Sequence, residues 1–569
     1  MKNRKFEKKY IIPIIHFLLS FAWEWLVLVP SDKASVAFSV PMSNLFSDTF
    51  EQILCYVTAK IMAGIIIFLL WKTLFFVFDK KSDKETVIVF SVITVVVSLI
   101  TILMWPDVFE AGGDNFIPYS YAIRLMPEYW HSIYLTCLYT ASVMVIPHAV
   151  SINLLLAFSF IGAIAYLYNR IKISPVLQSV SWIRFPLLLV FLFRDTFTVM
   201  TNPERAEYNV SFSFIFVSII LMDIIEKKKR PVYQFGFLTV FAAFLAVFRS
   251  EGIIVAILGF LALLIFVYRP KFRVFVPSVL LLLLALIIFK LPPKVGEIKY
   301  YGSDYSIINS FNSLHNIFLS DKADLKYAGV EDDLAAIEEI TPVEYIKEFA
   351  SEGYRRYNYS KGRADINQSL AGKEVSDSYN KAYKSIILHN LPIYIKTQAY
   401  MFFQATAAAE RGYMEEYHGD GTGLEPFGFE LWEVGRADFQ VIPGRYRWEH
   451  LGARNKLASI FTVPRLKAVD ILTKTRIYTI LLYAEILAGA LIPIHAFVSF
   501  LKKKKEFLGA GVLALTVDLY VAALSVMMPV GANMYFHMYI YSMFALIAVY
   551  IGLIKSVKTK AAEETTETK

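Results

Sequence analysis

Ionisable side chains are concentrated in the stretch FEAGGDNFIPYSYAIRLMPEYWH, residues 109–131, which lies between two strongly apolar runs. The ionisable candidates in this stretch and just before it are Asp107, Glu110, Asp114, Arg124 and His131. A positioned carboxylate can deprotonate an acceptor hydroxyl as a general base. An arginine can bind a phosphate through charge-assisted hydrogen bonds. These residue types favour transfer of a group from a phosphate-bearing donor to a hydroxyl.

The composition is typical of a polytopic membrane protein. The chain has 569 residues, of which 56% are hydrophobic and 15% aromatic, and its mean hydropathy of +0.49 lies well above the soluble range. The net charge of +8 does not indicate a nucleic-acid partner, because the lysines and arginines form short clusters between apolar runs. Only Cys55 and Cys137 are present, so two unpaired thiols in apolar surroundings are favoured over a bridge.

Twelve apolar runs are long enough to cross about 30 Å of hydrocarbon, which takes about 20 residues. If the N-terminus is cytoplasmic, every basic cluster between these runs falls on the cytoplasmic side. The first run is interpreted as a retained span, because no small-residue cleavage site follows it. The runs lie near 10–30, 52–78, 85–106, 149–169, 181–200, 208–225, 232–248, 252–268, 273–291, 473–498, 507–528 and 534–554.

Two further apolar segments, 131–148 and 387–409, would invert the charge pattern if they crossed, so both are predicted to lie on the outer membrane surface as interfacial helices. The predicted fold is an all-α polytopic membrane protein of about twelve transmembrane helices, with a mixed extracytoplasmic domain between helices nine and ten. The predicted segments are an N-terminal hairpin (1–84), a catalytic core (85–291) with the outer loop 107–148, the extracytoplasmic domain (292–472), C-terminal helices (473–560) and a disordered tail (561–569).

The same topology brings further ionisable residues to the outer face. Asp195 lies in the outer half of the fifth run, Glu204 and Glu207 lie in the turn before the sixth, and Arg249 follows the seventh. Any one of them is explained more simply as a solvated interfacial charge, but their convergence favours a site. A lipid phosphate would lie at this depth, with its tail in the bilayer. A phosphate leaving group does not need the second, protonating carboxyl group of a glycosidase.

The segment WPDVFEAGGDNFIPYSYAIRL resembles the outer loop of polytopic C-type glycosyltransferases that use polyprenyl-phosphate sugars, the superfamily of protein mannosyltransferases and lipid A sugar transferases. The order of the segments WHSIYLTCLY, NPERAEYN and FRSEG agrees with that family, and the resemblance covers about residues 85–290. It implies an integral enzyme of a bacterial plasma membrane with an extracytoplasmic active site. This enzyme would move a hexose from a polyprenyl-phosphate donor to a glycan, lipid or protein acceptor.

The resemblance implies that Asp114 is the catalytic base, and Asp107 and Glu110 are the alternative carboxylates. It implies that Arg249 and His131 bind the donor phosphate or orient the acceptor. The other predicted substrate-binding residues are Arg124, Asp195, Glu204, Glu207 and Tyr119. The chain departs from the family pattern where Asn115 follows Asp114 in place of a second acid, and where the final runs carry Tyr535 and His537 without an arginine. No cofactor is assigned, and assistance by a divalent cation stays open.

Other functions fit parts of this sequence. A polysaccharide polymerase or flippase acting on a lipid-linked oligosaccharide would share the outer site. A secondary transporter would use ionisable residues within the spans, for which Glu24, Lys60 and Asp518 are candidates, but their spacing shows no repeat between halves. A scaffold without chemistry is the third alternative. No zinc, ATP or dinucleotide motif is present, which argues against those ligands.

Overall fold

The computed structural model describes residues 8–28, 49–77, 83–108, 116–125, 132–148, 150–193, 205–249, 252–268, 272–295, 310–311, 313–349, 373–408, 477–527 and 537–567. Every regular element in these ranges is helical. The α-helices are α1 (Lys8–Trp23), α2 (Thr49–Val77), α3 (Lys84–Val108), α4 (Phe116–Ala122), α5 (Ile133–Val145), α6 (Val150–Ile173), α7 (Arg184–Phe193), α8 (Arg205–Glu226), α9 (Val232–Phe248), α10 (Gly252–Leu263), α11 (Phe272–Val295), α12 (Val330–Glu338), α13 (Val343–Phe349), α14 (Lys373–His389), α15 (Leu391–Ala408), α16 (Ile477–Leu501), α17 (Leu508–Met527) and α18 (His537–Glu567).

Six helices within the described ranges are long and apolar enough to cross a membrane, and they correspond to α2, α6, α11, α16, α17 and α18. Shorter apolar helices include α5, α9 and the apolar part of α1. Each of the twelve apolar runs in the sequence contains at least part of a helix. The protein therefore has the architecture of an all-helical membrane protein, and the number of twelve crossings stays a prediction.

Helix α8 lies at the centre of the main bundle, where it contacts α6, α10, α17 and α18. Its side chains Phe214, Phe216 and Val217 are fully buried, as expected for a helix that is apolar on all sides. The Ser211 hydroxyl of α8 hydrogen-bonds the Ser159 hydroxyl of α6. Small hydroxyl side chains of this kind join helices where lipid gives no hydrophobic drive for association.

Outside this centre, α9 joins α11 to the bundle, and α5 joins the hairpin of α1 and α2. The surface of α11 is largely apolar and exposed, as at Leu280, Leu284 and Ile287. Such a surface suits contact with lipid tails. Between α16 and α17, a Cβ on Gly511 would overlap the Cβ of Ala496, so the two helix backbones can approach only because Gly511 lacks that atom.

A second, smaller hydrophobic cluster contains described residues from 311 to 346 and from 379 to 393, and the described parts of 310–349 and 373–408 are here called the helical module. Its buried centre includes Phe311, Ile337 and Tyr379. The Tyr379 hydroxyl lies 2.5 Å from the Ser310 hydroxyl oxygen, which satisfies a polar group that would otherwise be costly to bury. The described part of the predicted 292–472 domain is thus helical with its own core, and 409–472 lies outside the described residues.

The C-terminal tail differs from the prediction. Helix α18 continues to Glu567, so residues 561–567, predicted to be disordered, are helical. The physical reason lies in the residues themselves, because AAEE contains strong helix formers. Residues that extend an existing helix also avoid the cost of nucleating a new one.

Candidate functional site

Helix α5 organises the described part of the candidate site. All thirteen of its residues are buried, and it contacts α1, α2, α4 and α6. The prediction of an interfacial helix with an exposed face is therefore wrong for α5. The sequence IYLTCLYTASVMV carries no charge, and its small hydroxyl groups donate to backbone carbonyls, as Ser142 does to Leu138 at 2.7 Å. The helix has no charged group that would favour exposure to water.

The short helix α4 packs against α5 and carries the predicted site residue Tyr119, and Arg124 lies in the turn that follows α4. The Thr140 hydroxyl of α5 donates to the Ala122 carbonyl at 2.9 Å, which fixes the end of α4. Tyr119 is buried, and Arg124 is only 6% exposed. Burial lowers the pKa of the Arg124 guanidinium, and neighbouring Tyr121 raises it. An arginine stays charged even so, and the turn after α4 therefore contains a buried cation two residues from the Ala122 carbonyl that α5 holds.

The beginning of α5 meets the end of α9, where Arg249 lies. The Ser132 hydroxyl, at the N-cap of α5, donates to the Val247 carbonyl at 3.4 Å. Arg249 is the C-cap of α9 in an extended conformation and is half-buried. Its carbonyl accepts from the Gly252 N–H at 3.0 Å, which turns the chain into α10. Arg249 thus stands two residues from a backbone group that touches the start of α5.

The beginning of α8, which contains Glu207, lies against α5 and α6. The Tyr208 side chain is buried, and its ring centroid lies 6.1 Å from that of Tyr139 in α5. The Tyr208 hydroxyl donates to the Ile152 carbonyl in the first turn of α6. The backbone at Glu207 is therefore placed beside α5, while its side chain lies outside the described residues.

The remaining predicted residues are placed only in part or not at all. Asp107 lies in the last turn of α3, and the position of its side chain is not described. Five candidates lie outside the described residues: Glu110, Asp114, His131, Asp195 and Glu204. The structure thus groups Tyr119, Arg124, Arg249 and the backbone of Glu207 around α5, and the catalytic-base assignment stays a prediction.

Glu24 and Lys60, which the sequence offers only as separate candidates, belong to one buried ionic cluster between α1 and α2. Lys60 Nζ donates to Glu24 Oε2 at 2.6 Å and to the Ser20 hydroxyl oxygen at 2.8 Å. The Tyr56 hydroxyl donates to Glu24 Oε1 at 2.6 Å, and Lys60 Nζ lies 3.6 Å from the centroid of the Phe21 ring. Ser20 and Glu24, like Tyr56 and Lys60, are four positions apart and share a helix face. This spacing of polar residues within apolar runs is the sequence signal from which the cluster could have been predicted.

The same hairpin holds the C-terminal end of α5. Trp71 Nε1 donates to His16 Nδ1 at 3.0 Å, so His16 is protonated on Nε2, which donates to the Val145 carbonyl at 2.9 Å. Trp23 Nε1 donates to the adjacent Met144 carbonyl at 2.7 Å. The last carbonyls of a helix have no partner within the helix. Here His16 and Trp23 donate to these carbonyls, and Trp71 fixes the orientation of the His16 ring.

A second ionic cluster joins α3, α6 and α7 at the other end of the bundle. Lys172 Nζ lies 2.9 Å from Asp83 Oδ1 and 2.6 Å from Glu85 Oε2, and Arg184 approaches Glu85 at 3.3 Å. Hydrogen bonds from Thr86 and Lys172 lower the pKa of Asp83 to about 2. Lys172 is about 30 Å from the start of α6 at 1.5 Å per residue. This cluster ties helices together far from α5.

No protein-family model, curated protein or solved structure matches this chain. In the part of the chain that the structure describes, no group of three or more histidine, cysteine, aspartate or glutamate side chains is arranged to hold a metal ion.

Proposed function

We propose that the protein is an integral membrane glycosyltransferase that moves a sugar from a polyprenyl-phosphate donor to an extracytoplasmic glycan, lipid or protein acceptor. The observation that carries the proposal is the position of two arginine-bearing segments on one buried helix. Arg124 ends the segment packed on α5, and Arg249 follows the α9 carbonyl that accepts from Ser132. These segments come from separate parts of the chain; the resemblance implies substrate binding by Arg249, and Arg124 is a predicted substrate-binding residue of the outer stretch.

The chemistry of a phosphate donor suits such a pair of arginines. A guanidinium binds phosphate oxygens through two parallel hydrogen bonds, and in buried surroundings this attraction is less screened than in water. In the proposed step, Asp114 takes the acceptor hydroxyl proton, and the acceptor oxygen bonds to the anomeric carbon. The bond from that carbon to the phosphate oxygen breaks, and its electron pair leaves with the polyprenyl phosphate. Cations stabilise this developing charge.

The proposal includes a topology. About twelve helices cross the membrane, the site faces the extracytoplasmic side, and the helical module lies on that side between the ninth and tenth crossings. The ionic cluster of Asp83, Glu85 and Lys172 then lies at the cytoplasmic end. Support comes from the distribution of lysines and arginines, which follows the positive-inside rule, and from the six helices with the length and hydropathy of spans.

The first experiment measures transfer from radiolabelled polyprenyl-phosphate hexoses in membranes that contain the wild-type protein, Asp114→Asn or the control Asp332→Asn, at matched expression. Asp332 is an exposed residue of α12 in the helical module. We expect Asp114→Asn to lose about 10²–10⁴-fold in rate, the usual contribution of a general base, and the control to retain activity. Transfer that persists in Asp114→Asn would move the base to Asp107, Glu110 or Glu207. No transfer from any donor, where a known transferase works, would contradict the proposal.

A second candidate function is secondary transport, which Asp518 favours. Asp518 lies in the middle of the apolar helix α17, and the Tyr539 hydroxyl approaches its Oδ1 at 3.4 Å. An ionisable residue at such a position commonly serves ion or proton movement. The variant Asp518→Asn distinguishes the two functions, because a transporter would lose coupled uptake in liposomes. A glycosyltransferase with its site around α5 would keep its transfer activity.

A further inference from the structure

Helix α15 presents an apolar stripe outward. Leu388, at the end of α14, is 71% exposed, and Leu391 and Ile395 of α15 are 43% and 57% exposed. The three residues follow the spacing i, i+3 and i+7, which places them on one side of a helical path. They are called the outer stripe here. In water, a set of exposed branched aliphatic side chains at this spacing would be costly.

Asn390, the residue between α14 and α15, is polar and buried. Asn390 Oδ1 accepts from the Asp324 N–H at 2.7 Å, and its Nδ2 donates to the Asp324 carbonyl at 3.0 Å. Gln398 Nε2 donates to the Ser313 hydroxyl oxygen at 3.3 Å. Both side chains are buried in the helical module. The bonds of Asn390 fix the start of α15 against the module, with Leu388, Leu391 and Ile395 exposed. Gln398, seven positions after Leu391, shows that the same side of α15 becomes buried further along the helix.

The far half of α15 reaches the membrane bundle. It contacts α16 and α17, and Phe402 packs against the main hydrophobic core. The exposed surface of α16 is apolar, as at Ile480 and Leu487, and α16 has the length and hydropathy of a span. Helix α15 therefore connects the module to helices whose outer surface suits lipid.

Two exposed lysines flank the outer stripe. Lys384 precedes Leu388 by one helical turn, and Lys396 follows Ile395 directly. A basic residue at the border of an apolar stripe can bury its methylene chain and extend its ammonium group to a lipid phosphate. The pattern of aliphatic stripe and flanking lysines thus matches a bilayer surface more closely than it matches the apolar surface of another protein.

We propose that the outer stripe of Leu388, Leu391 and Ile395 contacts the lipid bilayer, and that the helical module lies on the membrane through this stripe. The partner is the headgroup and upper acyl region of the bilayer. The stripe adds apolar burial that the module cannot obtain from its own core. The bonds of Asn390 to Asp324 hold the beginning of α15 in the orientation that leaves the stripe exposed. This inference does not depend on glycosyl transfer.

The test uses the wild-type full-length protein in nanodiscs that contain a lipid with a photoactivatable diazirine in its acyl chain. After illumination, trypsin releases residues 385–396, which hold the complete stripe, and residues 327–347, which hold the acidic first turn of α12. Mass spectrometry is expected to find lipid adducts on 385–396 and on α16, and far fewer on 327–347. Adducts on α16 without adducts on 385–396 would overturn the proposal, as would equal labelling of both module peptides.

A matched pair of variants separates the stripe from general exposure. Ile395→Gln changes the stripe, and Leu319→Gln changes a leucine of the same module that is 56% exposed but lies outside the stripe. We expect Ile395→Gln to reduce the lipid adducts on residues 385–396 and Leu319→Gln to leave them unchanged. An equal effect of both variants, or no effect of either, would contradict a stripe-specific contact with lipid.

Discussion

Lys60 Nζ lies 2.6 Å from Glu24 Oε2, although the two residues are 36 positions apart in the chain. Both side chains are buried between α1 and α2, and α2 is apolar enough to cross a membrane. Burial of two charges is favourable only when they are paired and their remaining hydrogen bonds are satisfied. Ser20 and Tyr56 supply those bonds here. The pair therefore makes each member strongly dependent on the other.

Removal of one member of this pair should destabilise the protein more than removal of both. Lys60→Met leaves a buried carboxylate without its cation and is expected to cost about 3–5 kcal/mol of unfolding free energy. The double variant Glu24→Gln/Lys60→Met has no buried charge at this site and should recover most of the loss. The measurement is unfolding in detergent, followed as a double-mutant cycle. A double variant as unstable as Lys60→Met would contradict the expected coupling.

Arg249 should contribute to donor binding through the geometry of its guanidinium. Arg249→Lys keeps the charge but loses the two parallel hydrogen bonds to a phosphate. The expected result is a rise of about tenfold in KM for the polyprenyl-phosphate donor, because one charge-assisted bond contributes about 1.5–3 kcal/mol. Arg273→Lys, at an exposed position near the start of α11, is the control. Equal donor KM values in the wild type and Arg249→Lys would show that Arg249 does not bind the donor.

His148 should make stability depend on pH. Its Nδ1 accepts from the Val150 N–H at 3.1 Å at the beginning of α6, and burial lowers the pKa of the imidazole. Only the neutral imidazole accepts this bond. Because the folded pKa is lower than the unfolded value of about 6.5, the stabilising contribution is present above that pH and is lost as pH falls through the folded pKa.

The variant His148→Asn tests this pH dependence, because asparagine can cap a helix but does not titrate. Thermal unfolding of detergent-solubilised protein between neutral and mildly acidic pH should show a smaller loss of Tm in His148→Asn than in the wild type. The same decrease in both proteins would assign the pH dependence to other groups.

Substitution of Gly489 by alanine should destabilise the protein. A Cβ at this position of α16 would lie 2.6 Å from the Tyr539 hydroxyl oxygen and 3.0 Å from Asp518 Oδ1. Gly489→Ala is expected to force α16 away from α18 and to cost about 1–3 kcal/mol of unfolding free energy. The matched control is Gly162→Ala in α6, where no atom lies within 4 Å of the new Cβ. This change should be neutral or stabilise by up to about 1 kcal/mol. Similar effects of both variants on Tm would contradict this packing.

Local sequence pattern predicts the helices better than it predicts their partners. The twelve apolar runs all contain at least part of a helix. The burial of α5 was not predictable from charge rules, because topology signals constrain loops and say little about a helix that carries no charge. The contact of Glu24 with Lys60 depends on the register between two helices. That register is set by packing across the whole hairpin.

In the candidate site, too, the sequence predicts individual residues better than it predicts their contacts. The arginines were predicted as site residues from their type and position, and the structure places their segments on α5. The role of α5 itself was missed, since its sequence contains only apolar residues and small hydroxyl groups. A residue that positions others carries no chemical signature. It is identified by the backbone groups that it contacts.

The imidazole of His16 has a fixed direction: it accepts from the Trp71 indole on one side and donates to the Val145 carbonyl on the other. A ring held in this way acts as a spacer of constant length between α2 and the last turn of α5. A shift of the N-terminal hairpin along the bundle would therefore move α5, and with it the segments that carry Arg124 and Arg249. The hairpin, which lies before the region of family resemblance, would thus set the dimensions of the proposed binding site, to which it contributes none of the predicted substrate-binding residues.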